Sequence, residues 1–346
     1  MSTRQPRPTL LDVARHAGVS PATVSRVLND SARVSPGAKE RVVTALKSLR
    51  YEPSSPRPVS SPTTALVLPD ILNPYFTDLI RGAQDEVGTE GAIPLLLDTL
   101  EDPERERQAF RLLASRPVSG IIVCASRLPV GDLIGVYERT KIPMVVINRH
   151  VDHPDIPCVL VDFENSTLRA TRHLLALNHR RIAYFPGPSA SEPSLARRQG
   201  IERALSEAGL SLRSEWCPHS LPNIDGGFQG MSALLALPPS NRPTAVIAYN
   251  DMMALGALQA VRAHKLCVPD DISVVGFDDI TMASHANPPL TTISQPKYKM
   301  GRVAMRILRQ LIQGQKTLGD GYTLLESPLV VRESTGPAPV DDREAA

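Results

Sequence analysis

Apolar residues follow two different patterns along the chain, one in the first fifty residues and another after residue 65. Residues 9–50 carry three apolar stripes at helical spacing, which predict three short helices. Thr9 and Asp12 stand in capping-box positions at the start of the first helix, and Gly18 supplies the left-handed residue that ends it. The second and third helices each begin with a serine cap followed by a proline, at Ser20-Pro21 and Ser35-Pro36.

Short apolar runs alternate with longer helical stretches from residue 65 onward. The runs that predict buried parallel strands are 65–69, 93–97, 120–124, 144–147, 158–162, 182–186, 245–249 and 273–277. The stretches that predict helices are 76–88, 104–115, 166–177, 195–208 and 252–264, followed by a helix at 297–313 and a strand at 328–334. Repeated β-α units predict doubly wound α/β sheets. Because roughly 260 residues are too many for one small sheet, two lobes are expected.

Two polar segments flank this α/β region. Residues 51–64, with the sequence YEPSSPRPVSSPTT, contain four prolines, which oppose a regular helix and predict an extended linker. The C-terminal tail is polar and lacks a heptad pattern, so a coiled coil is not expected there. The predicted plan is a helical head at residues 1–52, a Pro/Ser-rich linker at 53–63, a two-lobed domain at 64–336 and a polar tail at 337–346.

Composition is typical of a soluble globular protein. Hydrophobic residues make up 42% of the 346 residues and charged residues 21%, and no apolar run approaches the length that spans a membrane. The N-terminal MSTRQPRPTL is polar and basic, which predicts no secretory signal and a cytoplasmic protein. The four cysteines are widely spaced and are expected to be buried thiols, not disulfides or a zinc site: Cys124, Cys158, Cys217 and Cys267.

The net charge of +2 conceals an uneven distribution. Residues 1–58 hold ten Lys/Arg against four acidic residues, whereas the remainder holds 28 against 32. A basic head on a mildly acidic body indicates that the head alone meets a polyanion, although a solvated basic face would have the same count.

A helix, a tight glycine-containing turn and a second helix have the order of a helix-turn-helix, whose second helix enters the major groove of DNA. Arg26 on that helix is suited to a bidentate contact with guanine, and Ala22 to a thymine methyl. The other candidate DNA contacts near the helix starts are Thr9, Ser20, Pro21, Thr23, Ser25, Asn29, Arg33 and Ser35. An ordinary three-helix packing module would have the same spacing, so the pattern alone leaves both interpretations open.

The string TLLDVARHAGVSPATVSRVLNDSARVSPGAKERVVTALKSLRYEP strongly resembles the head of the lac repressor family of bacterial regulators. Stretches of the body that lie where the family places similar runs are LVLPDILNPYF (66–76), LNHRRIAYFPGP (177–188), RPTAVIAYNDMMALGAL (242–258), VPDDISVVGFDD (268–279) and PPLTTISQP (288–296). The resemblance implies an all-α helix-turn-helix head joined to a two-lobed α/β core of the type I periplasmic-binding-protein-like fold. It also implies a homodimer that binds a palindromic operator in double-stranded DNA.

Two doubly wound lobes bind ligands in the crevice at the carboxyl ends of their strands. Polar residues soon after predicted strands are therefore candidate ligands of a small molecule: Asp70, Asn73, Asn148, Arg149, Asp162, Asn250, Asp251, Asp278 and Asp279. Asp and Asn pair with sugar hydroxyls, and Arg suits a hydroxyl, a carboxylate or a phosphate. Asp251 and Asp279 are more typical of helix caps, and Asn73-Pro74 of a turn.

The resemblance to the lac repressor family selects some of these candidate ligands and adds others. It implies that Arg197, in the stretch RRQG, contacts the effector, and that Tyr75 and Phe76 are an aromatic pair of which one ring lines the pocket. Phe228 and Arg149 are weaker candidates. The implied effector-binding residues are Asn73, Tyr75, Phe76, Arg149, Arg197, Phe228, Asn250 and Asp278. The implied effector is a sugar or a sugar derivative such as a sugar phosphate, although members of the family also bind nucleobases and other small metabolites.

The linker departs from the pattern of the family that the chain resembles. Relatives place a hinge helix here that inserts leucines into the minor groove, whereas this chain reads SSPRPVSSP. Pro56 and Pro58 oppose such a helix, and Arg57 and Val59 are the candidate hinge contacts that remain. We therefore expect this protein to bend its operator less than its relatives do.

The sequence predicts a DNA-binding repressor whose operator affinity is controlled by a small-molecule effector. The alternative is a soluble solute-binding protein with the same two-lobed body, which the basic helical head and the absent signal oppose. An enzyme is not expected, because the chain has no Gly-rich phosphate loop, no H-E-x-x-H and no nucleophile elbow. No cofactor and no metal site are expected either.

Overall fold

The computed structural model describes residues 9–28, 35–49, 63–87, 94–189, 191–315 and 321–339. The chain forms two compact units, Met1–Ser60 and Ser61–Ala346. The first unit contains the helical head and the second contains the α/β core. Most of the predicted linker, including Arg57 and Val59, lies outside the described residues.

Three helices form the head: α1 (Leu10–Ala17), α2 (Pro21–Leu28) and α3 (Pro36–Ser48). The capping box of α1 is confirmed, because Thr9 Oγ1 accepts from Asp12 N at 3.3 Å and Asp12 Oδ2 accepts from Thr9 N at 2.8 Å. Gly18 ends α1 in the left-handed conformation, at φ 61°. Ser20 caps α2 by accepting a hydrogen bond from the backbone N of Thr23 at 3.2 Å. The prediction for α3 was wrong in one detail, since Ser35 precedes the helix without a side-chain cap hydrogen bond.

The interior of the head is made of small aliphatic side chains. Its buried residues are Val13, Ala14, Ala17, Val24, Val42 and Ala45. Their helical spacing places them on the facing sides of the three helices, as the apolar stripes predict. Such a small core leaves the polar residues at the helix starts exposed to solvent.

The core alternates strands and helices along the chain. Its first elements are β1 (Thr64–Leu68), α4 (Tyr75–Val87), β2 (Leu95–Asp98), α5 (Pro103–Ala114), β3 (Gly120–Cys124), α6 (Val130–Thr140), β4 (Met144–Ile147) and β5 (Cys158–Val161). The next are α7 (Phe163–Ala176), β6 (Ile182–Phe185), α8 (Glu192–Glu207), α9 (Ile224–Leu235), β7 (Ala245–Ala248), α10 (Asp251–Ala263), β8 (Ser273–Asp278), α11 (Thr281–His285) and β9 (Thr291–Ser294). They are followed by α12 (Lys297–Ile312), β10 (Tyr322–Leu325) and β11 (Leu329–Val330).

Two sheets define two lobes. The N-lobe holds a six-stranded sheet of order β10-β5-β4-β3-β1-β2, and the C-lobe holds a five-stranded sheet of order β11-β9-β8-β7-β6. The paired strands run parallel except for β11 against β9. Because α12 packs against α4 and the N-lobe strands, the chain crosses between the lobes after β5, β9 and β10. The predicted two-lobed α/β core is therefore confirmed.

The central strands with continuous apolar runs are buried as predicted, but the prediction was wrong for the run 93–97, because β2 lies at the edge of its sheet with Leu95 and Leu96 exposed. Strands β9 and β10 and the longer helices α6 and α9 were not predicted. β9 reads TTIS, with hydroxyl side chains in place of aliphatic ones, and β10 is an edge strand in which Tyr322 and Leu324 are exposed. α9 contains three glycines, which weaken its helical signal. The strand expected at 328–334 is limited to Leu329–Val330, because the chain then leaves the edge of the sheet.

Cys124, Cys158 and Cys217 are buried thiols, as predicted. The prediction was wrong for Cys267, which is exposed because it lies in the loop between α10 and β8. None of the described helices has the length and apolarity needed to cross a membrane. The same residues contain no group of three or more His, Cys, Asp or Glu side chains that could hold a metal ion.

Candidate functional site

The carboxyl ends of both sheets meet at a cleft between the lobes. Side chains at the end of β8 and directly after β3, β4, β7 and β9 line a cavity there, together with residues of α4 and α8. Six of the eight predicted effector-binding residues line this cavity: Asn73, Tyr75, Phe76, Arg197, Asn250 and Asp278. Its free volume is about 40 Å³, several-fold smaller than the roughly 300–1,000 Å³ of ordinary ligand sites. The cleft in this structure therefore leaves little free space between the lobes.

A chain of hydrogen bonds crosses the cleft. Asn148 Nδ2 of the N-lobe donates to Tyr75 Oη at 2.7 Å, and Tyr75 Oη donates to Gln295 Oε1 at 3.2 Å. Gln295 Nε2 then donates to Asp278 Oδ1 of the C-lobe at 2.6 Å. Residues more than 200 positions apart in the chain therefore share one polar network.

Arg197 lies inside a cage of three aromatic rings. Its guanidinium carbon is 4.7 Å from the centroid of Phe163, 4.3 Å from Tyr249 and 3.9 Å from Phe277. Its Nη2 is 4.0 Å from Asp278 Oδ1, and both side chains are about nine-tenths or more buried. Cation–π contacts of this kind hold the guanidinium in place beside the cavity that Arg197 lines.

Two buried polar atoms at this site have no hydrogen-bond partner in the described part of the chain. They are Arg197 Nε, a donor, and Asn148 Oδ1, an acceptor. Leaving such atoms unpaired costs about 1–3 kcal/mol each. A ligand that offers both a donor and an acceptor, as a hydroxyl group does, would satisfy both.

Burial raises the pKa of the Asp278 carboxyl, and the neighbouring Asp251 raises it further, although Arg197, Lys297 and Gln295 lower it. A buried carboxyl with a raised pKa keeps its proton at higher pH and can then donate as well as accept. Asp251 itself is buried at the start of α10, where it accepts from Thr292 Oγ1 at 2.6 Å and from Ile280 N at 2.9 Å.

Two of the predicted ligands use their polar atoms to hold the backbone. Asn73 Oδ1 accepts from Tyr75 N at 3.0 Å. Asn250 caps α10 by accepting from Met253 N at 2.9 Å, and its Nδ2 donates to Pro222 O at 2.8 Å. Both residues border the cavity, so they shape its wall while their side-chain polar groups are already engaged.

Two predicted residues do not reach this cavity. Phe228 lies on α9 and is 36% exposed, because the buried side of that helix is formed by its glycines, Met231 and two leucines. Arg149 lies in a neighbouring cavity of about 230 Å³, where its Nη1 donates to Ser126 O at 2.7 Å. Its Nε is 3.9 Å from Glu192 Oε2 of the C-lobe.

Further residues in the cavity wall were missing from the predicted effector set. Arg127 and Glu101 form an ion pair there. The other lining residues missing from that set are Gln295, Tyr249, Asn148, Ala125, Phe163 and Pro193. Asn148 did satisfy the rule that polar residues after strands face the crevice. Arg127 lies three residues beyond β3, so a slightly wider window in that rule would have included it.

Backbone strain concentrates at the cleft. Six non-glycine residues there or in the adjoining loops have positive φ: Leu100, Glu101, Ala125, Asn148, Asp278 and Asp279. Such conformations cost about 1–3 kcal/mol each and persist where surrounding structure holds them, often at binding sites.

The head presents α1, a turn at Gly18 and α2, the order expected of a helix-turn-helix. Of the predicted DNA contacts, Thr9, Ser20, Pro21 and Ser35 are exposed, and Thr23 is half-buried. The backbone of Ala22, Ser25 and Arg26 belongs to α2, while their side chains lie outside the described part. The same holds for the whole of Asn29 and Arg33.

Comparison with known proteins agrees with both units. Residues 9–54 match the lacI family of bacterial regulatory proteins, and residues 171–335 match a periplasmic binding protein-like domain. The transcriptional repressor CytR of Escherichia coli K12 is 34% identical over 335 residues, covering 96% of this chain and 97% of that protein. The ribose operon repressor of Halalkalibacterium halodurans is 36% identical over 334 residues, covering 94% and 97%.

Solved structures show the same relationship. The complex of the transcriptional regulator CelR with cellobiose has a TM-score of 0.71 at 32% identity, covering 95% of this chain and 100% of that one. The lac repressor dimer bound to operator and the anti-inducer ONPF has a TM-score of 0.72 at 30% identity, covering 96% and 100%. On its head, its two-lobed core and these similarities along its length, this chain belongs to the lacI family of bacterial regulatory proteins.

Proposed function

We propose that this protein is a transcriptional repressor that binds a palindromic operator as a homodimer and changes its operator affinity when a small effector binds between the lobes. The relatives that share about a third of its residues are repressors, and the similar lac repressor structure is a dimer on its operator. A dimer supplies two heads for two half-sites. Arg26 and its neighbours on α2 are the proposed base-reading residues.

The effector that fits the cleft best is an uncharged compound with neighbouring hydroxyl groups, a sugar or sugar derivative. The observation that carries this proposal is the Arg197 guanidinium lying 4.0 Å from the Asp278 carboxyl inside an aromatic cage. Adjacent hydroxyls accept from one group and donate to the other, while the rings contact the apolar face of a sugar. The similar CelR structure contains cellobiose, a compound of this kind.

A phosphorylated effector fits the side chains that line this cavity less well than an uncharged sugar does. Arg127 in the cavity wall is already paired with the carboxylate of Glu101, and Arg197 lies 4.0 Å from the Asp278 carboxyl. A phosphate group would have to displace Glu101 from Arg127 and would approach the acceptor Asn148 Oδ1 without a proton to offer.

The remaining elements of the proposal follow from this function. A bacterial repressor binds chromosomal DNA, so we propose that the protein is cytoplasmic. We also propose that it has no catalytic activity and no cofactor. The alternative is a solute-binding protein without regulatory DNA binding. The match of residues 9–54 to the lacI family of bacterial regulatory proteins disfavours it.

The DNA-binding part is tested by selecting duplexes from a random library with the full-length protein at low and moderate salt. Enrichment of a two-fold symmetric site is expected, with half-sites spaced for two heads. Salt-sensitive binding without any enriched sequence, both alone and with the sugars below, would contradict the proposal.

The effector part is tested on the selected operator with D-ribose, D-glucose, cellobiose and the corresponding sugar phosphates. At least one free sugar should change the operator affinity of the wild type. Arg197→Lys should keep operator binding and weaken the sugar response about tenfold or more, because lysine lacks the planar stack. Its neighbour Arg198 is partly exposed and pairs with Glu202, so Arg198→Lys is the matched control. A response to the sugar phosphates alone would refute the uncharged-effector assignment.

A further inference from the structure

The backbone is strained at the end of β8, where it carries Asp278 into the cleft. Asp278 has a positive φ of 121° and Asp279 one of 56°. Residues with side chains rarely adopt such conformations, which cost free energy and persist only where neighbouring groups hold them. The Asp278 carboxyl oxygen Oδ1 lies 2.6 Å from Gln295 Nε2 and 4.0 Å from Arg197 Nη2. The position of this carboxyl in the cavity therefore depends on the groups that hold residues 278–280, which we call the β8 turn.

Two side chains of the C-lobe hold the residues that follow Asp278. Asp251 Oδ2 accepts a hydrogen bond from Ile280 N at 2.9 Å. Arg332 Nη2 donates to Asp279 Oδ1 at 2.7 Å. Neither of these hydrogen bonds involves the backbone of Asp278 itself, so they do not by themselves fix the residue whose carboxyl lines the cavity.

Lys297 binds the backbone of Asp278 directly. Its Nζ donates to Asp278 O at 2.6 Å and to Asp279 O at 2.7 Å. Its side chain is only 7% exposed, so water screens these charge-assisted hydrogen bonds little. Lys297 is the first residue of α12, which packs against α4 and the strands of the N-lobe. A helix of the N-lobe thus holds the backbone of the C-lobe at the point where it enters the cleft.

We propose that Lys297 is a positioning residue for effector recognition: its ammonium group binds the carbonyl oxygens of Asp278 and Asp279 and so holds the Asp278 carboxyl beside Arg197. Without the ammonium group both carbonyls lose a hydrogen-bond donor, and the strained β8 turn relaxes toward ordinary negative φ. The carboxyl then turns away from Arg197. The part of this inference that concerns the effector rests on the proposed function, whereas the part that concerns the β8 turn does not.

Lys297 has a second contact, with Asp78 of α4, that offers a simpler explanation of its presence. Its Nζ is 3.9 Å from Asp78 Oδ2, but the Asp78 side chain is 53% exposed. Ion pairs that water reaches contribute little to stability. If Lys297 served only as the partner of this carboxylate, Asp78→Asn would have the same effect as the loss of Lys297.

The first measurement is hydrogen exchange, resolved by mass spectrometry of peptides, on the full-length protein without effector or DNA. Lys297→Met keeps the apolar stem of the side chain and removes its charge and its donors. The amides of residues 278–284 should exchange about tenfold faster or more in this variant, while those of β6 in the same lobe should keep their wild-type rates. Lys299→Met is the matched control, because Lys299 is exposed on the same helix, and it should leave both segments unchanged.

Asp78→Asn should also leave the exchange of residues 278–284 unchanged. Wild-type exchange of this segment in Lys297→Met would overturn the proposal. So would an equal acceleration in β6, or the same acceleration in Asp78→Asn. If Lys297→Met does not fold, Lys297→Gln replaces it. Its neutral amide is too short to reach both carbonyls, so the same local acceleration is expected.

The second measurement is a double-mutant cycle with whichever of D-ribose, D-glucose and cellobiose changes the operator affinity of the wild type. Lys297→Met and Asp278→Asn should each weaken the affinity for this sugar about tenfold. Adding Asp278→Asn to Lys297→Met should cost little more, because the carboxyl has already left Arg197. Additive losses would overturn the positioning role, since a lysine that only stabilises the fold would act independently of Asp278. If the wild type responds to none of these sugars, the sugar assignment fails, and the exchange measurement still decides the role of Lys297.

Discussion

The pH dependence of the free energy of unfolding tests whether buried Asp278 is protonated in the folded protein. Its side chain is nearly fully buried, accepts from Gln295 at 2.6 Å and lies 4.0 Å from Arg197. Burial, reinforced by Asp251, raises its pKa above the ordinary 3.8. The folded protein therefore keeps a proton that the unfolded chain has lost once the pH exceeds that ordinary value.

The sign follows from proton linkage. Below pH 3.8 both states are protonated at this position and Asp278 has no pH effect. As the pH rises from there toward the raised pKa of the folded state, stability falls by about 1.4 kcal/mol per pH unit for one bound proton. Above the raised pKa the loss stays constant. An asparagine side chain is neutral at every pH, so Asp278→Asn should remove this part of the slope and stabilise the C-lobe at neutral pH.

The assay uses the single tryptophan of the chain. Trp216 is 2% exposed in the C-lobe, so its fluorescence reports the unfolding of the lobe that holds Asp278. Urea titrations at intervals between pH 5 and pH 8 are compared for wild type, Asp278→Asn and the control Asp152→Asn, which alters an exposed N-lobe aspartate. The control should parallel the wild type. If Asp278→Asn also runs parallel to it, Asp278 is ionised in the folded state and the burial argument fails.

Two further predictions concern packing and a buried carboxylate. A Cβ on Gly82 of α4 would lie 2.0 Å from the carbonyl oxygen of Tyr298 on α12, so Gly82→Ala should cost about 3 kcal/mol or more in thermal unfolding, whereas Gly131→Ala has open space and should be neutral. An unchanged melting temperature for Gly82→Ala would show that the two helices separate easily. Glu106 is buried and accepts from Ser126 Oγ and Arg127 N, so Glu106→Gln should lose about 1–3 kcal/mol. Glu104→Gln on the exposed face of the same helix is its control. If both variants lose the same free energy of unfolding, the buried hydrogen bonds of Glu106 do not add to stability.

Local sequence signals predict many of the helices and strands. The apolar stripes, the Thr9–Asp12 capping box and Gly18 suffice to place the head helices, because each signal acts within one or two helical turns. The aliphatic runs suffice for the central strands, which are buried on both faces. Edge strand β10 escaped detection because solvent covers one side of it and removes the need for apolar residues.

Local sequence signals predict only some of the residues that line the cleft. Strand ends indicate which residues approach the crevice, and this rule reached Asn148 and Asp278. It says nothing about how far a side chain extends or which atoms are already engaged. Asn250 uses its Oδ1 to cap α10 and its Nδ2 to bind Pro222 O, and Phe228 lies on the exposed face of α9.

The sequence by itself determined that this chain has a basic three-helix head and a doubly wound core, because helix caps and apolar periods are short-range properties. Only the tertiary structure decided that Gln295 bridges Tyr75 and Asp278 across the cleft. Those contacts join residues from different lobes, and their geometry depends on how three chain crossings bring the two sheets together. No local pattern encodes that arrangement, which results from the packing of the whole core.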